Sequence, residues 1–219
     1  MISKEDKRKG KTNLEWNIMK VIFLDHDGVI CLSNNWGGRM KKQKKWGGRK
    51  LSMGNDEIPL EYRFDDFDKK AIEVLNSIIE ETGAEIVVSS DWKRWATTEE
   101  LGEYYESQGI SRKPIDCTPF FRDLFRDGKA PKIGEFDYSR NESLEQERHF
   151  EILDWLKNHP EVTHWVAIDD LHMGIDITYT NGEDDERYWG LKNFVWTPRE
   201  SEGIKQSGVK EKILKFLNN

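Results

Sequence analysis

An α/β fold with a mostly parallel central sheet, flanked by helices, is what this sequence predicts. Three observations predict it. Short apolar, β-branched runs alternate with stretches of helical periodicity, the pattern of βαβ units. Three of those runs end in polar pairs: Asp25 and Asp27, Ser89 and Ser90, Asp169 and Asp170. The length, 219 residues, suits one such domain with decorations.

Residues 1–18 are polar and charged with no sustained period, and are read as an N-terminal extension to a domain over 19–219. Val21–Leu24 reads as a buried strand. Residues 31–60 lack periodicity and are rich in Gly, Lys and Trp, so an inserted flap or loop is expected there. Phe67, Ala71, Val74, Leu75, Ile78 and Ile79 recur at helical spacing, and Gly83 follows where a C-terminal cap belongs. Ile86–Val88 is the second strand. Thr97 and Glu100 form a capping-box pattern that opens a helix ending near Gly109. Residues 111–143 read as loop. Phe150, Leu153, Trp155 and Leu156 mark a helix that Pro160 stops. Trp165–Ile168 and Phe194–Trp196 are further strands, and Ile204–Leu217 an amphipathic helix.

Composition narrows the class. Apolar residues are 36% and charged residues 34%, which fits a soluble globular chain with a heavily charged surface. The two cysteines, Cys31 and Cys117, form no CxxC pair and no zinc-ligand spacing, so reduced thiols are expected. No apolar run approaches the roughly 20 residues that span a bilayer, and the first residues lack an apolar signal-peptide core. The cytoplasm is the expected location, without a membrane partner. The net charge of -7 is uneven: the first 50 residues carry 13 Lys/Arg against 5 Asp/Glu. A basic first quarter on an acidic body can attract an anionic ligand.

In a parallel sheet, ligands bind at the carboxyl ends of strands near a topological switch point. Carboxylates gathered there repel one another, and they need a cation or one must protonate. Hard oxygen donors with few histidines point to Mg²⁺. Asp25 and Asp169 are the carboxylates that could hold it, Gly28 lets the backbone turn tightly toward a phosphate, and a serine hydroxyl at the next strand end could hold a phosphate oxygen. Solubilising turns and helix caps would also place acids and serines at such positions, but three polar strand ends together favour a site.

Asp25-His26-Asp27-Gly28-Val29 resembles the DxDGV signature of the haloacid dehalogenase (HAD) superfamily of phosphohydrolases. The further resemblance is to the branch associated with RNA-repair proteins: FLDxDGV at Phe23–Val29, VxSSxWR at Val87–Lys93, TP at Thr118-Pro119, RxxEIxxWL at Arg148–Leu156, and an IDD strand at Ile168–Asp170. The ordered set covers about residues 20 to 217. It implies a Rossmann-like HAD fold, with a short basic insert in place of a full cap domain. It implies Asp25 as nucleophile, Asp27 as general acid and base, and Ser89 as phosphoryl ligand. Mg²⁺ would then be held by Asp25, the Asp27 carbonyl and Asp169, with Asp170 in support. The superfamily's third motif is usually lysine; here Arg148 aligns best, with Lys129 and Lys132 as alternatives. The branch has Arg where this chain has Lys93, followed by Arg94, and either could reach substrate phosphate. Ser90 could share the role of Ser89.

One stretch stands apart. WGGR occurs twice, at Trp36–Arg39 and Trp46–Arg49, and residues 36–50 hold seven basic residues and no acidic one. Tryptophan can stack on a base while Lys and Arg contact phosphate, so Trp36, Arg39, Trp46 and Arg49 are candidate substrate contacts; a solvated loop is the competing reading. The expected function is a Mg²⁺-dependent phosphatase for phosphomonoesters on nucleotides or nucleic-acid ends. A phosphatase for a small metabolite or free nucleoside monophosphate is the alternative within enzymes. A non-catalytic nucleic-acid-binding protein on the same scaffold is the alternative outside them. No GxxxxGK[ST] stretch occurs, so no kinase is expected in the same chain.

Overall fold

The computed structural model describes residues 19–46, 58–129, 143–174 and 190–219. The N-terminal extension at 1–18, Arg49 of the second WGGR and Lys132 lie outside them. Five strands, β1 (Met19–Leu24), β2 (Glu85–Val88), β3 (Pro114–Cys117), β4 (Val162–Asp169) and β5 (Phe194–Trp196), form one sheet in the order β3-β2-β1-β4-β5. Every pairing is parallel. The order reverses beside β1, and the crevice of such a sheet opens there.

The strands read as continuous apolar runs because both faces are covered. In β1, Ile22 and Leu24 face a core with residues of α3 (Lys69–Thr82), α4 (Thr98–Gln108) and α7 (Val209–Asn218). Val21 and Phe23 face a second core with Ile152 and Trp155 of α6 (Ser143–Asn158). All four β1 residues are fully buried, at about 2 kcal/mol each. Local signals set the helix ends as expected. The Thr97–Glu100 capping box is formed in both directions, and Gly83 and Gly109 close α3 and α4 in the left-handed conformation.

Three expectations are corrected. Residues 31–60, read as irregular, contain α1 (Gly38–Trp46) and the start of α2 (Leu60–Arg63). Helix α1 buries no residue, so no apolar stripe marks it in the sequence. Residues 111–143, read as loop, contain β3 and α5 (Phe121–Arg126). β3 is an edge strand that opens on proline and buries only Pro114, so it lacks the signature of an interior strand. The helix expected over Ile204–Leu217 is broken: Gly203–Lys205 is a 3-10 turn, and Gly208, at φ +81°, precedes α7. Among the described residues no helix is long and apolar enough to cross a membrane, and both cysteines are free thiols.

Candidate active site

The strand ends are stapled to one another in steps. Asp25 N donates to Ile168 O at 3.1 Å, Ser89 N to Leu24 O at 2.9 Å, Thr118 N to Val88 O at 2.9 Å, and Thr197 N to Asp169 O at 2.9 Å. Each polar residue is thus fixed by the ladder that ends at it. The chain then turns tightly after β1: His26 O accepts from Val29, Ile30 and Cys31 N–H.

Asp25 is 4% and Asp169 1% exposed. Arg148, from α6, bridges them, with Nη1 2.8 Å from Asp25 Oδ1 and 2.9 Å from Asp169 Oδ2. Burial pushes the Asp25 carboxyl up; Arg148 and a hydrogen bond with Ser90 oppose the rise. Burial pushes Asp169 higher still, against the pull of Arg148. Asp170 is raised to about 7 by burial and by the charge of Asp25. Arg148 itself is held firmly charged, because Asp169 and Asp25 more than offset its desolvation. Of its rivals for the third motif, Lys129 is exposed beyond α5.

Gly28 is required twice. Its φ is +69°, and a Cβ there would lie 2.4 Å from Asp170 Oδ2. The glycine behind the two aspartates therefore makes room for a third carboxylate. Its carbonyl accepts a hydrogen bond from Thr197 Oγ1 at 3.3 Å.

Asp27 points differently. Its Oδ2 accepts a hydrogen bond from Trp92 Nε1 at 2.9 Å. The Trp92 ring is 2% exposed and stacks on Phe64 at 4.4 Å and Phe67 at 5.2 Å. His26, between the two aspartates, is buried against Trp92 and hydrogen-bonds Tyr105 Oη. Burial holds its pKa down to about 3, so the ring stays neutral. The sequence reading had no role for Trp92. Its signal was a tryptophan in a polar turn directly behind Ser89-Ser90.

Ser89 is 2% exposed, and its hydroxyl has no hydrogen-bond partner among the described residues. A buried, unsatisfied hydroxyl calls for a ligand. Ser90 instead caps the 3-10 turn Asp91–Arg94, its Oγ accepting from Trp92 N. That turn separates the two cations left open by the sequence. Lys93 turns inward: its Nζ is 2.6 Å from Glu151 Oε2, 2.8 Å from Thr118 Oγ1 and 3.1 Å from Pro119 O. Arg94 turns outward, with Nε 3.1 Å from Asp91 Oδ1.

The basic insert is anchored at its base. Asp65 accepts from the N–H groups of Gly37 and Arg39 at the start of α1 and lies 3.7 Å from the Arg39 guanidinium; Lys42 pairs with Asp66. Trp36 is 42% exposed, with its indole N–H satisfied by Cys31 O. Trp46 stacks on Tyr62. Lys41, Lys44 and Lys45 are exposed.

Asp25, Asp169 and Asp170 can each direct one oxygen so that the three lie within 4.8 Å of one another. Arg148 offsets part of this negative charge. The remainder, offered entirely by hard oxygen donors, fits a divalent cation of the Mg²⁺ kind.

A family model described as the HAD domain in Swiss Army Knife RNA repair proteins matches residues 21–206. No curated protein and no solved structure matches the chain.

Proposed function

The chain belongs to this HAD domain family, within a superfamily of phosphohydrolases, and from that premise we propose a Mg²⁺-dependent phosphatase acting on phosphomonoesters at nucleotides or nucleic-acid ends. The observation that carries the reading is the unpartnered Ser89 hydroxyl beside the Asp25, Asp169 and Asp170 carboxylates.

Asp25 is the nucleophile. One carboxylate oxygen forms a bond to phosphorus as the ester P–O bond breaks, leaving an aspartyl-phosphate. Arg148 and Ser90 support the ionised form that this attack needs. Asp27 gives its proton to the departing oxygen. It then takes a proton from the water whose oxygen displaces Asp25 and releases inorganic phosphate. Trp92 aims the Asp27 carboxylate through its indole N–H. Ser89 and Arg148 hold the phosphoryl oxygens. Asp25, the Asp27 carbonyl and Asp169 would hold Mg²⁺, with Asp170 beside them; the ion offsets repulsion between carboxylate and phosphate. The exposed lysines of α1, with Trp36 and Arg39, extend a positive surface toward a polyanionic substrate.

The test is phosphate release from p-nitrophenyl phosphate, with Mg²⁺ and with chelator, for wild type and Asp25→Asn. Magnesium-dependent turnover that falls by at least about 10³-fold in the variant is expected. Turnover that survives Asp25→Asn would overturn the assignment.

A further inference from the structure

Between α5 and α6 lies a pocket of about 320 Å³ lined by Arg94, Phe120, Phe121, Arg122, Phe125, Glu147 and Glu151. It sits at the low end of the small-ligand range, large enough for one flat ring with part of a sugar. The mechanism above uses none of these side chains.

Three features define what fits. Phe120 offers a ring with three cations over it, Lys93 Nζ 5.0 Å and the Arg94 and Arg122 guanidinium carbons each 5.5 Å from its centroid. Planar cations around an aromatic ring make a platform on which another flat π-system can stack. Glu151 is spoken for, since it binds Lys93 and the Phe121 N–H. Glu147, whose carboxyl burial and Glu151 raise while Arg94 attracts it, makes no hydrogen bond among the described residues, so its oxygens can still accept from a ligand in the pocket.

Position links this pocket to the reaction. Asp91 touches Arg94 at 3.1 Å and reaches Arg148 at 4.0 Å, and Arg148 contacts Asp25 at 2.8 Å. Glu147 is the chain neighbour of Arg148. We propose that this pocket binds the nucleobase next to the phosphate, stacked on Phe120 and flanked by Arg94 and Arg122, with Glu147 accepting N–H bonds from an exocyclic amine. The site therefore prefers cytosine, adenine or guanine over uracil, which presents no amino group. The proposal rests on the phosphatase reading only in placing the phosphate at Asp25.

The test is binding, so it does not depend on turnover. Cytidine and uridine 5′- and 3′-monophosphates are titrated calorimetrically into wild type, Glu147→Gln and Phe120→Ala. Cytidine is expected to bind about tenfold tighter than uridine. Glu147→Gln reduces that ratio to below about twofold, and Phe120→Ala weakens both ligands by about tenfold. Equal affinity for the two bases in wild type, or an unchanged ratio in Glu147→Gln, would overturn the proposal. Loss of phosphate release with base preference intact would sink the phosphatase reading and leave the pocket standing.

Discussion

Asp25 and Asp169 are almost fully buried and share one arginine, whereas Lys41, Lys44 and Lys45 stand in solvent on a helix that buries nothing. The two regions handle charge by opposite physics. At the strand ends, low dielectric makes each charge costly, and Arg148 bridges the Asp25 and Asp169 carboxylates while Trp92 holds Asp27. On α1 the charges are hydrated, and the helix is held at its start by Asp65, along its length by Lys42–Asp66 and Gln43–Tyr62, and at its end by Trp46 on Tyr62. The buried region is built for geometry, which chemistry needs. The fields of the exposed charges are screened by salt.

The comparison can be broken most severely at Arg148. Arg148→Met leaves two buried carboxylates without their shared cation. Phosphate release should fall by about 10²-fold or more, and chemical denaturation should show a loss of about 3 kcal/mol. Full stability in that variant would show that Arg148 is not the charge balance of the site.

Asp170 gives the reverse effect. Its carboxyl is raised to about 7 in the fold, against an ordinary value near 4 when unfolded. The folded state holds that proton more tightly, so stability is lost as pH rises from about 4 to 7. In chelator at pH 8, Asp170→Asn should therefore be more stable than wild type, by at most about 4 kcal/mol. The gap should shrink on acidification. A melting series from pH 5 to 8 reads this directly, and a gap that grows toward low pH would contradict it.

Trp92→Phe sharpens the buried side of the comparison. It keeps the stack on Phe64 and Phe67 but removes the N–H that aims Asp27. A fall of about tenfold in kcat, with KM for a small aryl phosphate unchanged and a displaced pH–rate profile, is expected. An unaltered pH profile would make Trp92 a packing residue only.

The smallest expected effect lies on the exposed side. Replacing Lys41, Lys44 and Lys45 with serine should raise KM for phosphorylated oligonucleotides several-fold at low salt. It should make the salt dependence shallower by about two in log–log slope, while p-nitrophenyl phosphate hydrolysis is unchanged. Equal loss on both substrates would show that α1 serves the fold rather than the substrate.

Much of the site was legible because its residues sit at ends of apolar runs. Asp25, Ser89 and Asp169 terminate interior strands, and a parallel sheet brings such ends together. Arg148 could be named only through the motif resemblance; that it touches both Asp25 and Asp169 comes from how α6 crosses the sheet. Lys93 and Arg94 were indistinguishable in sequence because they are adjacent and alike in charge. The 3-10 turn sends one inward to Glu151 and the other outward to Asp91. β3 and α1 were missed because edge strands and unburied helices carry no apolar periodicity.

By itself the sequence determined the alternation of strands and helices, the caps at Thr97 and Gly83, and the polar strand ends. Those features are local: they depend on side-chain chemistry a few residues apart. Tertiary structure alone decided that Trp92 aims Asp27, that Gly28 yields space to Asp170, and that Glu147 faces a pocket beside Phe120. These are contacts between groups far apart in the chain, or choices of face, and close packing fixes them only once the sheet and its covering helices are assembled.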